Sequence, residues 1–202
     1  MCYTNFKDST KKLQNGLNTF KHKEPCAILT QKKYEQIKDV AILIKEILLL
    51  GNPSLYTKSV PIKANEIDSL NDIIKDLEDT LMDFRRKYNA GRAIAAPQIG
   101  VNKRLIYMNI KNPVIFINPE IEYTSNETFE VIDDCMSFPG LLVKVRRHKH
   151  SVIRYKDMEW KDCEMELKGD LSELLQHEYD HLDGMLATMR AVDNKSFFMN
   201  VN

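Results

Sequence analysis

The sequence predicts an α+β fold, with antiparallel or mixed sheets packed around a helix, on two observations. Residues 67–88 carry apolar side chains at spacings of three and four, the stripe of a helix with one buried face. From residue 104 to 167 the apolar period falls towards two over several runs, and a second helical segment follows at about 171–182. Helices at both ends of a series of strands are the mark of an α+β domain.

The totals are consistent with that frame. The chain has 202 residues, 43% hydrophobic and 29% charged, enough for one ordinary domain and an extension. Lys+Arg and Asp+Glu both number 29, so the formal net charge is zero and no whole-chain attraction to nucleic acid or anionic membrane is expected. The strongest apolar run, Val40 to Leu50, is broken by Lys45 and Glu46 and is too short to span a bilayer. The N-terminus lacks a charged-then-apolar secretory layout. Four cysteines, Cys2, Cys26, Cys135 and Cys163, show no Cys-x-x-Cys spacing and read as reduced thiols, one of them available as a ligand. A cytoplasmic protein is expected, with no membrane partner and no specific nucleic-acid partner.

Taken in order, residues 1–39 are polar and Lys-rich, an N-terminal extension with a helical tendency near Thr30 to Lys45; residues 40–202 hold the domain. Gly51-Asn52-Pro53 is turn chemistry. The first helix carries Ile67, Leu70, Ile73, Ile74, Leu77, Leu81, Phe84 and Tyr88 on one face, with Asn65 or Asp68 to cap it and Gly91 just past its end. Strands are expected at Arg104–Ile110, Val114–Ile121, Phe129–Asp133, Leu142–Lys156 and Glu164–Leu167. In the last of the long runs, Arg146-Arg147-His148-Lys149-His150 reads as one solvated basic face. The second helix opens on Asp170-Leu-Ser-Glu173, the layout of a capping box, and Gly184 is its stop.

The chemistry is concentrated in Gln176-His177-Glu178-Tyr179-Asp180-His181. Two imidazoles four residues apart project from one helix face and can share a cation, while the carboxylate after the first can reach a water beside it. A hydrolytic site of this kind needs a third protein ligand and an open position. No His or Glu follows His181, so the third ligand comes from upstream: Cys135, Cys163, His148, His150 and many acids qualify on spacing.

Three segments together resemble the motifs of the peptide deformylase family. Gly91-Arg-Ala-Ile-Ala-Ala-Pro-Gln98 is similar to Gly-x-Gly-x-Ala-Ala-x-Gln, Asp133-Asp134-Cys135-Met136-Ser137 to Glu-Gly-Cys-Leu-Ser, and Gln176–His181 matches throughout. Weaker similarity runs from about Ile47 to Arg190. The resemblance implies a peptide-deformylase-like fold around a central metal-binding helix, and an enzyme that removes the N-formyl group from the N-terminal methionine of nascent polypeptides. It implies one divalent ion, Fe(II) by expectation with Zn(II) or Ni(II) as alternatives, held by Cys135, His177 and His181. Glu178 becomes the general acid and base, while Gln98 and the Met136 N–H hold the oxyanion. Gly91, Arg92, Ala93 and Asp134 fall at substrate-binding positions, and Gln176, Asp133 and Arg147 behind the ligands. An N-formylated peptide is the implied substrate, and a transient ribosome contact is allowed.

The chain also departs from that pattern. Ala93 and Asp134 stand where the family has glycine, and Asp133 where it has Glu. The positions expected to line the pocket for the first side chain include Arg92, Asp170 and Glu173, where the family is apolar. Acceptance of a polar or basic first residue is one expectation from this. A related amidase on another formylated amine, or a non-catalytic relative that binds metal or peptide, are the alternatives.

Overall fold

The computed structural model describes residues 43–200. The expected extension lies outside the described residues, as does most of the helical tendency near Thr30 to Lys45; its last three residues, 43–45, are not helical. Among the described residues no helix is long and apolar enough to cross a membrane.

The predicted turn forms as a 3-10 turn, Pro53–Tyr56, with the Asn52 side chain accepting from Ser54 N. Helix α1 is Leu70–Tyr88. It buries Leu70, Ile74, Leu77, Leu81 and Phe84, each worth roughly 1.5–3 kcal/mol against exposure. Its entry differs from expectation. Neither Asn65 nor Asp68 caps it: residues 64–69 tighten into a 3-10 turn, where Glu66 accepts from Lys63 N. It ends on Asn89, whose φ of 53° turns the chain left-handed, and Gly91 at φ 103° completes the reversal.

Eight strands follow: β1 Ala93–Ala95, β2 Leu105–Asn109, β3 Pro113–Tyr123, β4 Thr128–Asp134, β5 Leu141–His148, β6 His150–Lys156, β7 Asp162–Lys168 and, after the second helix, β8 Phe197–Met199. They form an antiparallel five-stranded sheet, β1-β2-β3-β6-β7, and an antiparallel three-stranded sheet, β4-β5-β8. Helix α2, Asp170–Leu182, packs on the larger sheet. The period of two decides how. On β2, Ile106 and Met108 join Phe116, Ile153 and Leu167 under Leu171, Leu174, Leu175 and Leu182 of α2. The alternate residues Leu105 and Tyr107 join Ile115 and Ile117 against α1. The two helices thus cover opposite faces of one sheet.

Three expectations are corrected. Leu142–Lys156 is not one strand: it breaks at Lys149, and its halves enter different sheets. The Lys149 N–H goes to Glu127 O and its carbonyl accepts from Gly169 N, contacts that alternation along the chain does not encode. Its basic stretch is not a solvated face either, since Arg147 is buried. Nor are the thiols all reduced: Cys163 is disulfide-bonded.

Gly184 stops α2 as expected, at φ 70°. A Cβ there would lie 2.6 Å from Tyr56 O and 2.7 Å from Tyr56 C, both backbone atoms. Gly184→Ala is therefore expected to cost roughly 3 kcal/mol or more, from left-handed strain plus displacement of the Tyr56 turn, a fall of about 10 °C in Tm at this size. Thermal unfolding of wild type and variant side by side measures it; equal Tm values would show that the turn moves freely.

Candidate metal centre and cavity

Helix α2 provides most of the site. Glu173, His177 and His181 are four residues apart and share a face. The turn after β4 brings Cys135 to that face. Cys135 Sγ lies 3.3 Å from His181 Nε2, which lies 3.2 Å from His177 Nε2. All three donor atoms fall within 4.8 Å of one another. Tetrahedral ligation with bonds of about 2.0–2.3 Å needs donor separations of roughly 3.3–3.6 Å, close to the two distances that His181 Nε2 makes. The donor set, one sulfur and two imidazole nitrogens, suits Fe(II), Zn(II) or a neighbour in that series. Of the thiols and histidines that spacing left open, all among the described residues, Cys135 joins the paired histidines, while Cys163, His148 and His150 are not in this cluster.

A relay of charge holds the trio. His177 Nδ1 lies 2.8 Å from Asp133 Oδ1, an ion-pair distance, while the opposite ring nitrogen, Nε2, lies 3.2 Å from His181 Nε2. Asp133 Oδ2 accepts from Arg147 Nη2 at 2.8 Å, and Arg147 Nη1 reaches Asp180 Oδ2 at 2.5 Å. Arg190 closes the far end on Asp180. Burial alone would raise the Asp133 carboxyl, but the charges of His177 and Arg147 hold it down to about 2. Burial works against a charged His177 too, and Asp133 overcomes it, raising that imidazole well above its ordinary value. Burial and the neighbouring His177 keep His181 neutral, the form that ligates. The shortening of Glu to Asp at position 133 therefore leaves the contact intact. Asp180 and Arg190 went unassigned in the sequence, although Asp180 lies inside the Gln176–His181 motif; an acid three residues past a ligand His was the available signal.

Gln98 is oriented by the backbone three residues before it. Its Oε1 accepts from Ala95 N at 2.9 Å, so its Nε2 must face the site, 3.5 Å from Cys135 Sγ and 3.3 Å from Ser137 Oγ. Gln176 does not touch the trio. It clips α2 to β5, donating to His148 O at 2.8 Å and accepting from His148 N at 3.0 Å. Glu178 is buried, and its Oε2 has no hydrogen-bond partner among the described residues. Burial pushes its carboxyl up to about 7, with His177 drawing it down and Asp133 pushing it further up.

A cavity opens beside the trio, lined on the catalytic side by Gln98, Cys135, Met136, His177 and Glu178, and further out by Gly91, Arg92, Ala93, Asp134 and Glu173. Asp170, expected there as well, is not in its lining. Ala93 sits in extended β1, where a methyl group costs nothing. The anticipated capping box does not form: the N-cap of α2 is Gly169, without a side-chain cap, and Glu173 pairs with Arg92 instead.

A buried carboxylate beside clustered thiolate and imidazole donors, at the end of a cavity edged by an open strand, is equipped to activate water against a peptide-like amide. Fold and site thus define a metal-dependent hydrolase. Residues 44–197 match the sequence profile described as polypeptide deformylase, and the chain belongs to that family, whose members remove the N-formyl group from the N-terminal methionine of nascent polypeptides. The peptide deformylase of Dictyoglomus thermophilum is 36% identical over 152 residues, 75% of this chain and 95% of that protein. The crystal structure of peptide deformylase from Thermotoga maritima superposes with a TM-score of 0.68 at 31% identity, covering 75% of this chain and 99% of that one. That of a peptide deformylase from Legionella pneumophila gives 0.69 at 33%, covering 76% and 89%.

Proposed function

We propose that this chain hydrolyses N-formyl peptides with Cys135, His177 and His181 as the ligands of one Fe(II) ion, Glu178 as the proton shuttle, and Gln98 with the Met136 N–H as the oxyanion donors. The observation that carries the reading is the convergence of the three donor atoms within 4.8 Å together with the buried Glu178 carboxylate, whose Oε2 has no hydrogen-bond partner among the described residues.

When bound, a divalent ion supplies Lewis acidity, which lets water ionise near neutral pH. The chain's own residues do the rest. Glu178 receives the proton of the attacking water; a carboxyl raised to about 7 both accepts and returns a proton at working pH. Oxygen adds to the formyl carbon, and Gln98 Nε2 donates to the carbonyl oxygen as charge gathers there. One such donor is worth roughly 2.7–4 kcal/mol. The carbon–nitrogen bond then breaks, Glu178 delivers its proton to the amine, and formate and a free N-terminus leave. Asp133, tied to Arg147, keeps the His177 ring from rotating. Gly91, Arg92, Ala93 and Asp134 flank the peptide, with Gly91 O clamped by the Arg85 guanidinium at 2.9 and 2.7 Å so that β1 stays in register with the cavity. The reading includes a cytoplasmic location and a transient meeting with the ribosome, where formylated chains emerge.

The test is formate release from formyl-Met-Ala-Ser by protein loaded with Fe(II) without oxygen. Formate in step with free amine is the expected result. Stoichiometric iron with no formate from any formyl compound would leave a non-catalytic metal-binding relative in its place.

A further inference from the structure

We infer that Arg92 and Glu173 form a polar recognition pair for the first side chain of the substrate, so that this enzyme accepts N-formyl peptides beginning with an unbranched hydrogen-bonding residue nearly as well as those beginning with methionine. The inference rests on the deformylase reading above and adds its specificity.

The geometry begins with the scissile bond. A carbonyl carbon between Glu178 and Gln98 leaves the attached residue's side chain to extend along the rest of the cavity. There the walls come from two elements. Arg92 stands at the entry to β1, its backbone fixed because Arg85 clamps the preceding carbonyl. Glu173 stands on α2 one turn before His177, on the same face. Their side chains are 26% and 15% exposed, so water reaches the pair only partly. They meet through one contact, Arg92 Nη2 to Glu173 Oε2, at 3.3 Å. That is long for a charge-assisted bond, and it is single where a guanidinium and a carboxylate can bond twice. Among the described residues neither group has another side-chain hydrogen-bond partner: the fork keeps most of its five N–H donors, and the carboxylate most of its acceptor sites. Phe84 and Leu174 give the same cavity an apolar flank. An unbranched side chain can lie on that flank and offer its tip to the pair.

Glutamine satisfies this arrangement. Its chain matches methionine in length, its amide oxygen can accept from Arg92, and its amide N–H can donate to Glu173. Burying that amide against apolar walls would leave it unpaired and cost roughly tenfold to a hundredfold in rate. Here it finds both partners.

The experiment compares kcat/KM for formyl-Met-Ala-Ser and formyl-Gln-Ala-Ser, in wild type and in the double variant Arg92→Ile with Glu173→Ile. In wild type the methionine preference is expected to stay below tenfold. In the variant it should rise by at least a further tenfold, because the amide loses both partners while the thioether does not. A wild-type preference of tenfold or more overturns the inference, as does a preference that the double variant leaves unchanged. Calorimetric binding of the product peptides Met-Ala-Ser and Gln-Ala-Ser to the iron-loaded protein provides a readout that does not depend on turnover. If no formyl peptide is hydrolysed, the deformylase reading fails, and the ratio of the two affinities, judged against the same tenfold limits, still decides the pair. Metal content and the circular dichroism melt of the variant establish that it folds.

Discussion

Glu178→Gln is expected to lower kcat for formyl-Met-Ala-Ser by about 10²–10⁴-fold while the metal content stays at the wild-type level. The amide keeps the shape of the side chain and removes its ability to take a proton, so the loss falls on chemistry rather than on architecture. Metal analysis and steady-state kinetics on one preparation measure both quantities. Wild-type turnover in the variant would remove Glu178 from the reaction.

The same substitution has a second consequence, in stability. Burial lifts the Glu178 carboxyl to about 7, above its ordinary value of 4.5. A group raised on folding favours the folded state fully below about 4.5, and that contribution is lost as pH rises through 7. At pH 8 the chelator-treated protein must hold a carboxylate out of water, and the neutral amide has no such penalty. Glu178→Gln is thus expected to be the more stable of the two metal-stripped proteins at pH 8, by about 1–3 kcal/mol. The gain should shrink to nothing by pH 4.5. Urea unfolding at the two pH values reads it, and an equal gain at both would mean the carboxyl is not the cause.

Cys135→Ala is expected to have the other large effect. It leaves two imidazoles without their third partner. Loss of a residue that only orients a ligand costs about 10–100-fold in metal affinity, so loss of the ligand itself should cost more, and formate release should fall to background. A second reading separates ligand loss from misfolding. Added divalent metal should raise the Tm of metal-stripped wild type, since only the folded state assembles the trio. The variant should unfold cooperatively near the wild-type metal-stripped Tm and gain little from added metal. Retention of stoichiometric metal by the variant would rule out the sulfur as a ligand.

Local pattern made much of this molecule legible. The stripe from Leu70 to Phe84 became α1 because one helix face is buried against one sheet face, and burial is written in spacing. His177 and His181 share a face because four residues make about one turn, whatever surrounds them. Alternation located β2, β3, β4 and β7 to within a few residues. The motif resemblance named Cys135, and the chain's own spacing did not.

Other features depended on which segments meet. Whether Leu142–Lys156 is one strand or two was settled by the partners of Lys149, residues 127 and 169. Glu173 in isolation is a capping residue; it turned into the cavity because the fold sets Arg92 opposite it and lets Gly169 begin the helix. Arg147 in a basic run looks solvated, yet it is buried between Asp133 and Asp180, which arrive from β4 and α2. The sequence by itself determined the helices, most of the strands and the paired imidazoles, because each rests on geometry repeated within a few residues. The tertiary structure alone decided the sheet partners and the ion pairs, because a charge or a lone pair is satisfied by whatever the chain brings within about 3 Å, and separation along the sequence places no limit on that.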